Sequence, residues 1–151
     1  MDSVDGHRCR DNSLAWAAVE NGQRQIGVRY LWGGKTPDGW DCSGLVCDGL
    51  QATGKLKNGE TLSSQGLYRH FDSLGAIVGA PQCGCLVFYG GGAASISHVA
   101  VCIDETYMVE AGGGDSRTVT LRDAIKKRAF VRRRAINRRD DIVGYADPYL
   151  L

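Results

Sequence analysis

The sequence contains no long hydrophobic run, and this absence excludes one class of protein. No apolar stretch approaches the roughly 20 residues that a membrane-spanning helix requires, so we expect no membrane partner. Residues 1–13 carry acidic side chains and no hydrophobic core, and we therefore expect no Sec signal peptide. If the protein acts outside the cytoplasm, we expect another route to carry it there.

Internal repeats and low-complexity segments are also missing. A chain of 151 residues without repeats is typical of a single domain. We expect that domain to span residues 1–151, and its length is sufficient to bury a substantial core.

The chain carries little net charge, because its formal charge is only +1. The charges are nevertheless unevenly distributed. The segment from Lys126 to Arg139 contains eight of the 18 basic residues and no acidic residue. No recognised nucleic-acid motif accompanies this basic segment, so we expect no nucleic-acid partner. The pattern favours a solvated or partner-facing strand with its flanking loop.

The six cysteines lack the spacing of a zinc site and are too few for a disulfide scaffold. Only one residue separates Cys83 from Cys85, which is too close for the usual Cys-x-x-Cys motif. No cysteine–histidine pair stands at ligand spacing near them. We therefore predict no metal site and no other cofactor.

Hydrophobic periodicity predicts an α+β fold, with helices first and strands later. The first helix is expected to begin with Ser13 as its N-cap. Its buried face is expected to comprise Leu14, Ala17, Ala18 and Ile26. Helices are predicted at 13–27, 42–52, 63–71 and 121–128, and strands at 85–89, 98–103, 107–111 and 129–136.

Cys42 is the candidate nucleophile. It begins the helix predicted at 42–52, and a helix N-terminus favours a thiolate and offers backbone N–H groups to a developing oxyanion. Ser43 and Gly44 are small and leave the thiol accessible. The alternative is a buried structural thiol, which suits the other five cysteines better than Cys42.

Only three histidines are present, so few residues could act as the base for a cysteine nucleophile. His7 lies in the polar N-terminal tail, and His70 lies near the end of a predicted helix. His98 opens a predicted strand after a glycine-rich loop, where it can face a helix terminus. Spacing alone leaves open whether Cys42 and His98 form a catalytic pair.

Three segments together resemble the NlpC family of papain-like cell-wall cysteine peptidases. They are GVRYLWGGKTPDGWDCSGLV (27–46), GCLVFY (84–89) and SHVAVCIDETYMVEA (97–111). They match the family's glycine-rich aromatic turn, its nucleophile helix, an apolar strand, and a further strand that begins with the histidine. The resemblance implies a papain-like fold in which N-terminal helices pack on a mostly antiparallel sheet of about five or six strands, with the nucleophile at a helix N-terminus.

The resemblance also implies a role for each matched residue. Cys42 would be the nucleophile, and His98 would be the general base and then the acid. Tyr30 would line the site and help to hold the substrate or the oxyanion. Asp41 and Ser43 would help to bind the free amine of a peptidoglycan stem peptide.

The third catalytic residue departs from the family's usual pattern of histidine, asparagine or glutamine. The corresponding position here is Glu110. A carboxylate can orient an imidazole and stabilise an imidazolium, so we predict that Glu110 takes this role. The alternatives are that Glu110 faces solvent and that the role is absent or falls to Asp115.

A second departure is that Cys83 and Cys85 stand where relatives usually have proline and aspartate. If Tyr89 pairs with His98 in a hairpin, Cys85 lies opposite Cys102. Directly opposed cysteines can form a cross-strand disulfide. Free buried thiols are the favoured alternative.

The resemblance implies a cysteine-dependent peptidoglycan hydrolase that cleaves an amide bond of the stem peptide, with the γ-D-glutamyl to diamino-acid bond as the expected target. We expect delivery in a phage tail or phage-like particle, and hence phage tail or particle proteins as partners. The expected location is the virion, or export without a Sec signal, with action at the cell envelope. The alternative is a catalytically weak or inactive structural or adaptor tail protein, which Glu110 and the basic segment would favour.

Overall fold

The structure is a computed structural model, and it describes residues 9–150. Within these residues no helix is both long enough and apolar enough to cross a membrane. The helices are α1 (Ser13–Gln23), α2 (Cys42–Ala52), α3 (Ser64–Ser73), α4 (Leu121–Lys127) and the 3₁₀ helix Ile136–Arg138. The strands are β1 (Lys35–Thr36), β2 (Gly39–Trp40), β3 (Ile77–Val78), β4 (Leu86–Gly92), β5 (Ser95–Cys102), β6 (Tyr107–Gly112), β7 (Phe130–Ala135) and β8 (Ile142–Ala146).

The central sheet has six antiparallel strands in the spatial order β3-β8-β4-β5-β6-β7. Strands β4 to β7 follow one another in space as they do in the sequence, because short turns and one helical connection join them. β8 returns to lie between β3 and β4. The α+β class and the expected number of strands are confirmed, whereas β8 and the small β1–β2 hairpin were not predicted.

The two faces of the sheet bury different sets of side chains. One face contributes Phe88, Val99 and Val109 to the large core shared with helices α1 to α3. The opposite face carries a smaller cluster that includes Tyr89 and Met108. This alternation follows from the two-residue period of a strand.

The α2 prediction is confirmed at both ends, but the first helix differs from its prediction. The side chain of Asn12, not of Ser13, caps α1 by accepting hydrogen bonds from the backbone of Leu14 and Ala15, each at 3.1 Å. The helix ends at Gln23, before the predicted end at residue 27.

The buried face of α1 also differs from the prediction. Leu14, Ala17 and Ile26 are exposed, and the buried residues are Ala15, Ala18, Val19 and Gly22. A side-chain carbon at Gly22 would lie 3.4 Å from Val101, so small residues let α1 approach the sheet closely. Close packing of small side chains therefore outweighs the burial of larger apolar residues here.

The cysteines form one disulfide that was not predicted. Cys9 and Cys83 are bonded, with their Cα atoms 5.0 Å apart. Cys85 and Cys102 are paired across β4 and β5, where the Cys102 amide donates to the Cys85 carbonyl at 2.8 Å. Both of their thiols are free and buried, so the favoured alternative of free thiols is confirmed.

Polar contacts hold the residues that follow β8 against the N-terminal part of the chain. The Arg10 guanidinium donates two hydrogen bonds to the buried carboxylate of Asp147. The Tyr149 hydroxyl lies 2.8 Å from the Thr53 hydroxyl at the end of α2. These contacts and the disulfide together join distant parts of the sequence on one side of the sheet.

Candidate active site

Cys42 is the first residue of α2, and a local cap sets its position. The Asp41 carboxylate accepts a hydrogen bond from the Gly44 amide at 2.7 Å, which is the usual way an aspartate begins a helix. The Ser43 hydroxyl lies 3.4 Å from the same Asp41 oxygen. All three of Asp41, Cys42 and Ser43 are half-buried, so the thiol stands at an accessible helix N-terminus.

Glycine is required at the point where the turn before α2 meets the helix. The Asp41 amide donates to the Gly34 carbonyl at 3.0 Å, and a side-chain carbon at Gly44 would collide with that carbonyl oxygen. A side-chain carbon at Gly34 would likewise collide with the backbone of Gly39. The glycines therefore allow three backbone segments to pack together beneath the thiol.

Tyr30 lines the cleft on the same side as Cys42. Its ring is buried against Gly114, where any side-chain carbon would collide with it. Burial raises the pKa of the Tyr30 hydroxyl, and the negative charges of Cys42 and Asp41 raise it further. The hydroxyl is therefore kept protonated and can donate a hydrogen bond.

His98 lies in the middle of β5 rather than at its start, because the strand begins at Ser95. Strand β5 pairs with β6 at Val101–Val109 and Cys102–Met108, and this pairing stops before it reaches His98. The N-terminal half of β5 is thus not paired with β6. His98 and Glu110 occupy the region where the two strands separate.

The structure brings His98, Cys42 and Glu110 together. His98 Nε2 lies 2.8 Å from Glu110 Oε1. Because Glu110 occupies Nε2, Nδ1 is the ring nitrogen that remains for Cys42, which lines the same cleft. Burial lowers the pKa of His98, but the hydrogen bonds to Cys42 and Glu110 outweigh it and raise the pKa to about 9. The imidazolium form is therefore favoured at neutral pH.

Glu110 is buried, with only 2% of its surface exposed, and does not face solvent. Its second oxygen, Oε2, accepts a hydrogen bond from Arg132 Nε at 3.0 Å. Burial raises the pKa of Glu110, but the contacts with His98 and Arg132 outweigh it and lower the pKa to about 2. Asp115, the alternative residue, instead pairs with Lys127 at 2.7 Å.

Arg132 is the site residue that sequence reasoning missed. Residues 126–139 were interpreted as a solvated or partner-facing segment, yet Arg132 lines the cleft together with Arg134, Arg138 and Arg139. The alternation of side chains along β7 sets the face on which Arg132 lies, and the pairing of β7 with β6 places it opposite Glu110. This register could not be derived from the sequence, because a long loop and α4 separate the two strands.

The walls enclose a cleft of about 1180 Å³ that contains Cys42, His98 and Glu110. Tyr30, Asp41 and Ser43 line it as well, so the six residues proposed from the sequence share one cavity. Among residues 9–150, no group of three or more histidine, cysteine or acidic side chains is arranged to hold a metal ion. The absence of a metal and of a cofactor stays a prediction.

A cysteine at a helix N-terminus, a buried histidine on an antiparallel sheet and a carboxylate behind that histidine define a papain-like α+β domain. The model of the NlpC/P60 family matches residues 27–135. The chain therefore belongs to the NlpC/P60 family.

Two curated relatives share shorter stretches with the chain. Protein P54 of Enterococcus faecium is 36% identical over 90 residues, which are 58% of this chain and 16% of that protein. A probable endopeptidase of Mycobacterium bovis is 47% identical over 38 residues, which are 25% of this chain and 10% of that protein. The chain thus spans only a small part of the length of these relatives.

Solved structures share the fold across most of the chain. The NlpC/P60 domain of the peptidoglycan hydrolase SagA has a TM-score of 0.63 at 21% identity, covering 88% of this chain and 97% of that domain. RipD of Mycobacterium tuberculosis, described as a non-catalytic NlpC/P60 protein adapted to peptidoglycan binding, has a TM-score of 0.64 at 20% identity, covering 92% and 99%. The papain-like fold is confirmed, and at this identity the likeness concerns the fold alone.

Proposed function

We propose that this chain is a cysteine-dependent peptidoglycan hydrolase that cleaves an amide bond of the stem peptide. The observation that carries the proposal is the buried His98, which is bonded to Glu110 at 2.8 Å and shares one cleft with Cys42. A structural histidine would not need both a thiol and a carboxylate as partners. A cysteine nucleophile needs this arrangement.

In the first step, the Cys42 thiolate attacks the carbonyl carbon of the amide and a C–S bond forms. The backbone N–H groups at the start of α2 are oriented to stabilise the resulting oxyanion. The C–N bond then breaks, and the His98 imidazolium gives its Nδ1 proton to the leaving amine. A thioester with Cys42 remains.

In the second step, water attacks the thioester while His98, now neutral, accepts a proton from it. The C–S bond breaks, the acid product leaves, and Cys42 returns as a thiolate beside the imidazolium. Glu110 stays ionised throughout, because His98 and Arg132 lower its pKa to about 2. Its role is to orient the ring and to stabilise the imidazolium.

We propose the γ-D-glutamyl to diamino-acid bond as the target. Asp41 supports this choice, because among residues 9–150 its Oδ1 atom alone accepts the bonds from Gly44 and Ser43. Its second oxygen is available for a substrate ammonium group. Tyr30 lies on the same wall with a protonated hydroxyl, which could hold a substrate carbonyl or the oxyanion.

The direct test is release of soluble muropeptides from purified peptidoglycan of several chemical types. Wild type is expected to release peptides and Cys42→Ala is expected to release none. Cys47→Ala is the matched control, because Cys47 is a buried thiol of the same helix. If wild type releases no more than Cys42→Ala on any peptidoglycan, the hydrolase proposal is wrong.

The alternative is a structural or adaptor protein, because RipD shares the fold and is described as non-catalytic. The same experiment tests this alternative. Cosedimentation of wild type with insoluble peptidoglycan, without release of peptide, would identify a binding protein. Mass spectrometry of the released fragments would identify the bond that is cleaved.

We also propose that the protein acts at the cell envelope, delivered in a phage tail or phage-like particle. The Cys9–Cys83 disulfide supports action outside the cytoplasm, because disulfides persist in oxidising environments. It is equally compatible with a particle and with another export route. Mass spectrometry of purified particles would test delivery, and absence of the chain from them would exclude it.

A further inference from the structure

The cleft that contains Cys42, the first residue of α2, also has a cationic wall. Five arginines line it: Arg128, Arg132, Arg134, Arg138 and Arg139. Two of them have acidic partners, because Arg132 bonds Glu110 at 3.0 Å and Arg139 bonds Asp141 at 2.6 Å. Within residues 9–150, the side chains of Arg134 and Arg138, like that of Arg128, form no ion pair and no hydrogen bond. They are thus available to an anion that enters the cleft.

The positions of these two arginines follow from the fold. In β7, Arg132 and Arg134 are two residues apart and lie on the same face of the strand, opposite Glu110 and Met108 of β6. Arg138 ends the 3₁₀ helix that follows β7. The two unpaired guanidinium groups therefore lie next to the group that holds His98.

The proximity of these charges is energetically unfavourable in the empty cleft. Partial burial lowers the pKa of Arg134, and the positive charges of Arg132 and Arg138 lower it further. Like charges that crowd together without a counter-ion are stabilised when an anion binds between them. Guanidinium groups bind carboxylates with paired, charge-assisted hydrogen bonds.

The proposed substrate carries such anions. A glutamate that is linked through its γ-carboxyl leaves its α-carboxyl outside the peptide chain, and the diamino acid adds a further carboxyl group. Each of these groups is either a free carboxylate or a neutral amide. Within the cleft, Asp41 suits an ammonium group and the arginines suit a carboxylate.

We propose that Arg134 and Arg138 form a carboxylate subsite, so that the cleft selects stem peptides with free carboxylates over amidated ones. This inference rests on the proposed function for the identity of the substrate. It does not depend on catalysis, because selection is a property of binding.

The test measures binding to the full-length Cys42→Ala variant by isothermal titration calorimetry. The probes are L-alanyl-γ-D-glutamyl-diaminopimelate with free carboxylates and the same peptide with its carboxylates converted to amides. The free acid is expected to bind about tenfold more tightly. Adding Arg134→Gln and Arg138→Gln to this variant is expected to abolish the difference by weakening binding of the free acid alone.

Arg133→Gln, also placed on Cys42→Ala, is the matched control. Arg133 is the neighbouring residue of β7, and its guanidinium lies 4.2 Å from the Tyr107 ring, outside the residues that line the cleft. This change removes one positive charge from the same strand and is expected to leave the preference intact. If Arg133→Gln weakens binding of the free acid as much as the double change does, the attraction is general electrostatics and the subsite is overturned.

Two further outcomes also overturn the subsite: equal affinity for acid and amide, and no binding of either peptide. Cleavage by wild type is measured separately. Cleavage without a preference for the acid would contradict the subsite and leave the hydrolase proposal intact. Preferential binding without cleavage on any peptidoglycan would support the subsite and contradict the hydrolase proposal.

Discussion

The two walls of the cleft are built by different means. The wall that carries Cys42 is formed by residues close together in the sequence, where a glycine-rich turn leads into a helix capped by Asp41. The wall that carries His98 is formed by β5, β6 and β7, and its contacts join residues as far apart as Glu110 and Arg132. Local chemistry sets the first wall, and strand pairing sets the second.

The walls also differ in the partners that their carboxylates bind. On the Cys42 wall, Asp41 is half-buried and uses backbone and hydroxyl donors. On the His98 wall, a buried carboxylate lies between a histidine and an arginine. Removing one member of a buried ionic group leaves the others without a partner, which costs more than losing an exposed contact. Apart from loss of the nucleophile Cys42 itself, substitutions on the His98 wall are therefore expected to have the larger effects.

The largest expected effect is that of Glu110→Ala. This change removes the group that orients His98, and kcat should fall about 1000-fold. Glu110→Gln keeps a side chain that can accept a hydrogen bond from the His98 ring, so its kcat should fall less than that of Glu110→Ala. The measurement is the rate of stem-peptide cleavage. Glu105→Ala, in the exposed turn between β5 and β6, is the control and should be without effect.

The second prediction concerns the pH dependence of stability. The pKa of His98 is raised from 6.5 to about 9, so its contribution is complete below pH 6.5 and is lost as the pH rises through about 9. Between about pH 6 and about pH 10, the free energy of unfolding of wild type, measured with urea, should therefore fall by about 3 kcal/mol relative to that of His98→Gln. His70→Gln, outside the cleft, should behave as wild type. Parallel pH curves for wild type and His98→Gln would contradict the charged pair.

Arg132→Gln comes next, because it breaks one of the two contacts that hold Glu110. We expect kcat to fall about tenfold, since a hydrogen bond between charged groups is lost. The contact with Arg132 lowers the pKa of Glu110, so its loss should shift the acid limb of the activity profile to higher pH. Arg132→Lys should restore part of the activity. An unchanged pH profile would mean that Arg132 has only a structural role.

The smallest expected effect is that of Asp41, on the Cys42 wall. Asp41→Ala removes the cap of α2 and should lower the free energy of unfolding by about 1 kcal/mol. Asp41→Asn keeps the cap and should keep the stability, while its KM should rise if Asp41 binds the substrate amine. The control is Asp38→Ala in the same turn, an exposed residue whose loss should change stability by less than about 0.5 kcal/mol.

The Cys42 wall was predictable from the sequence because its determinants are local. Asp41 before an apolar run, together with small residues at Ser43 and Gly44, predicts the start of α2 at the residue where the structure has it. The pairing of Tyr89 with His98 was also predictable, because a short glycine-rich hairpin connects the two strands.

The remainder depends on contacts between distant residues. β8 is short and contains a glycine, and nothing in its sequence indicates that it inserts between β3 and β4. The bond between Cys9 and Cys83 spans 74 positions, and disulfide connectivity cannot be deduced from sequence alone. Arg132 reaches Glu110 only because β7 pairs with β6 in one register.

The position of β8 also has a consequence for self-association. β8 covers one edge of β4, where Leu86, Val87, Phe88 and Tyr89 are all buried. A short apolar run of high β-propensity without charge is typical of segments that form amyloid-like stacks when they are exposed. If proteolysis removed β8, β4 would present an unpaired edge to other molecules. β8 therefore keeps an aggregation-prone segment of the sheet paired within its own chain.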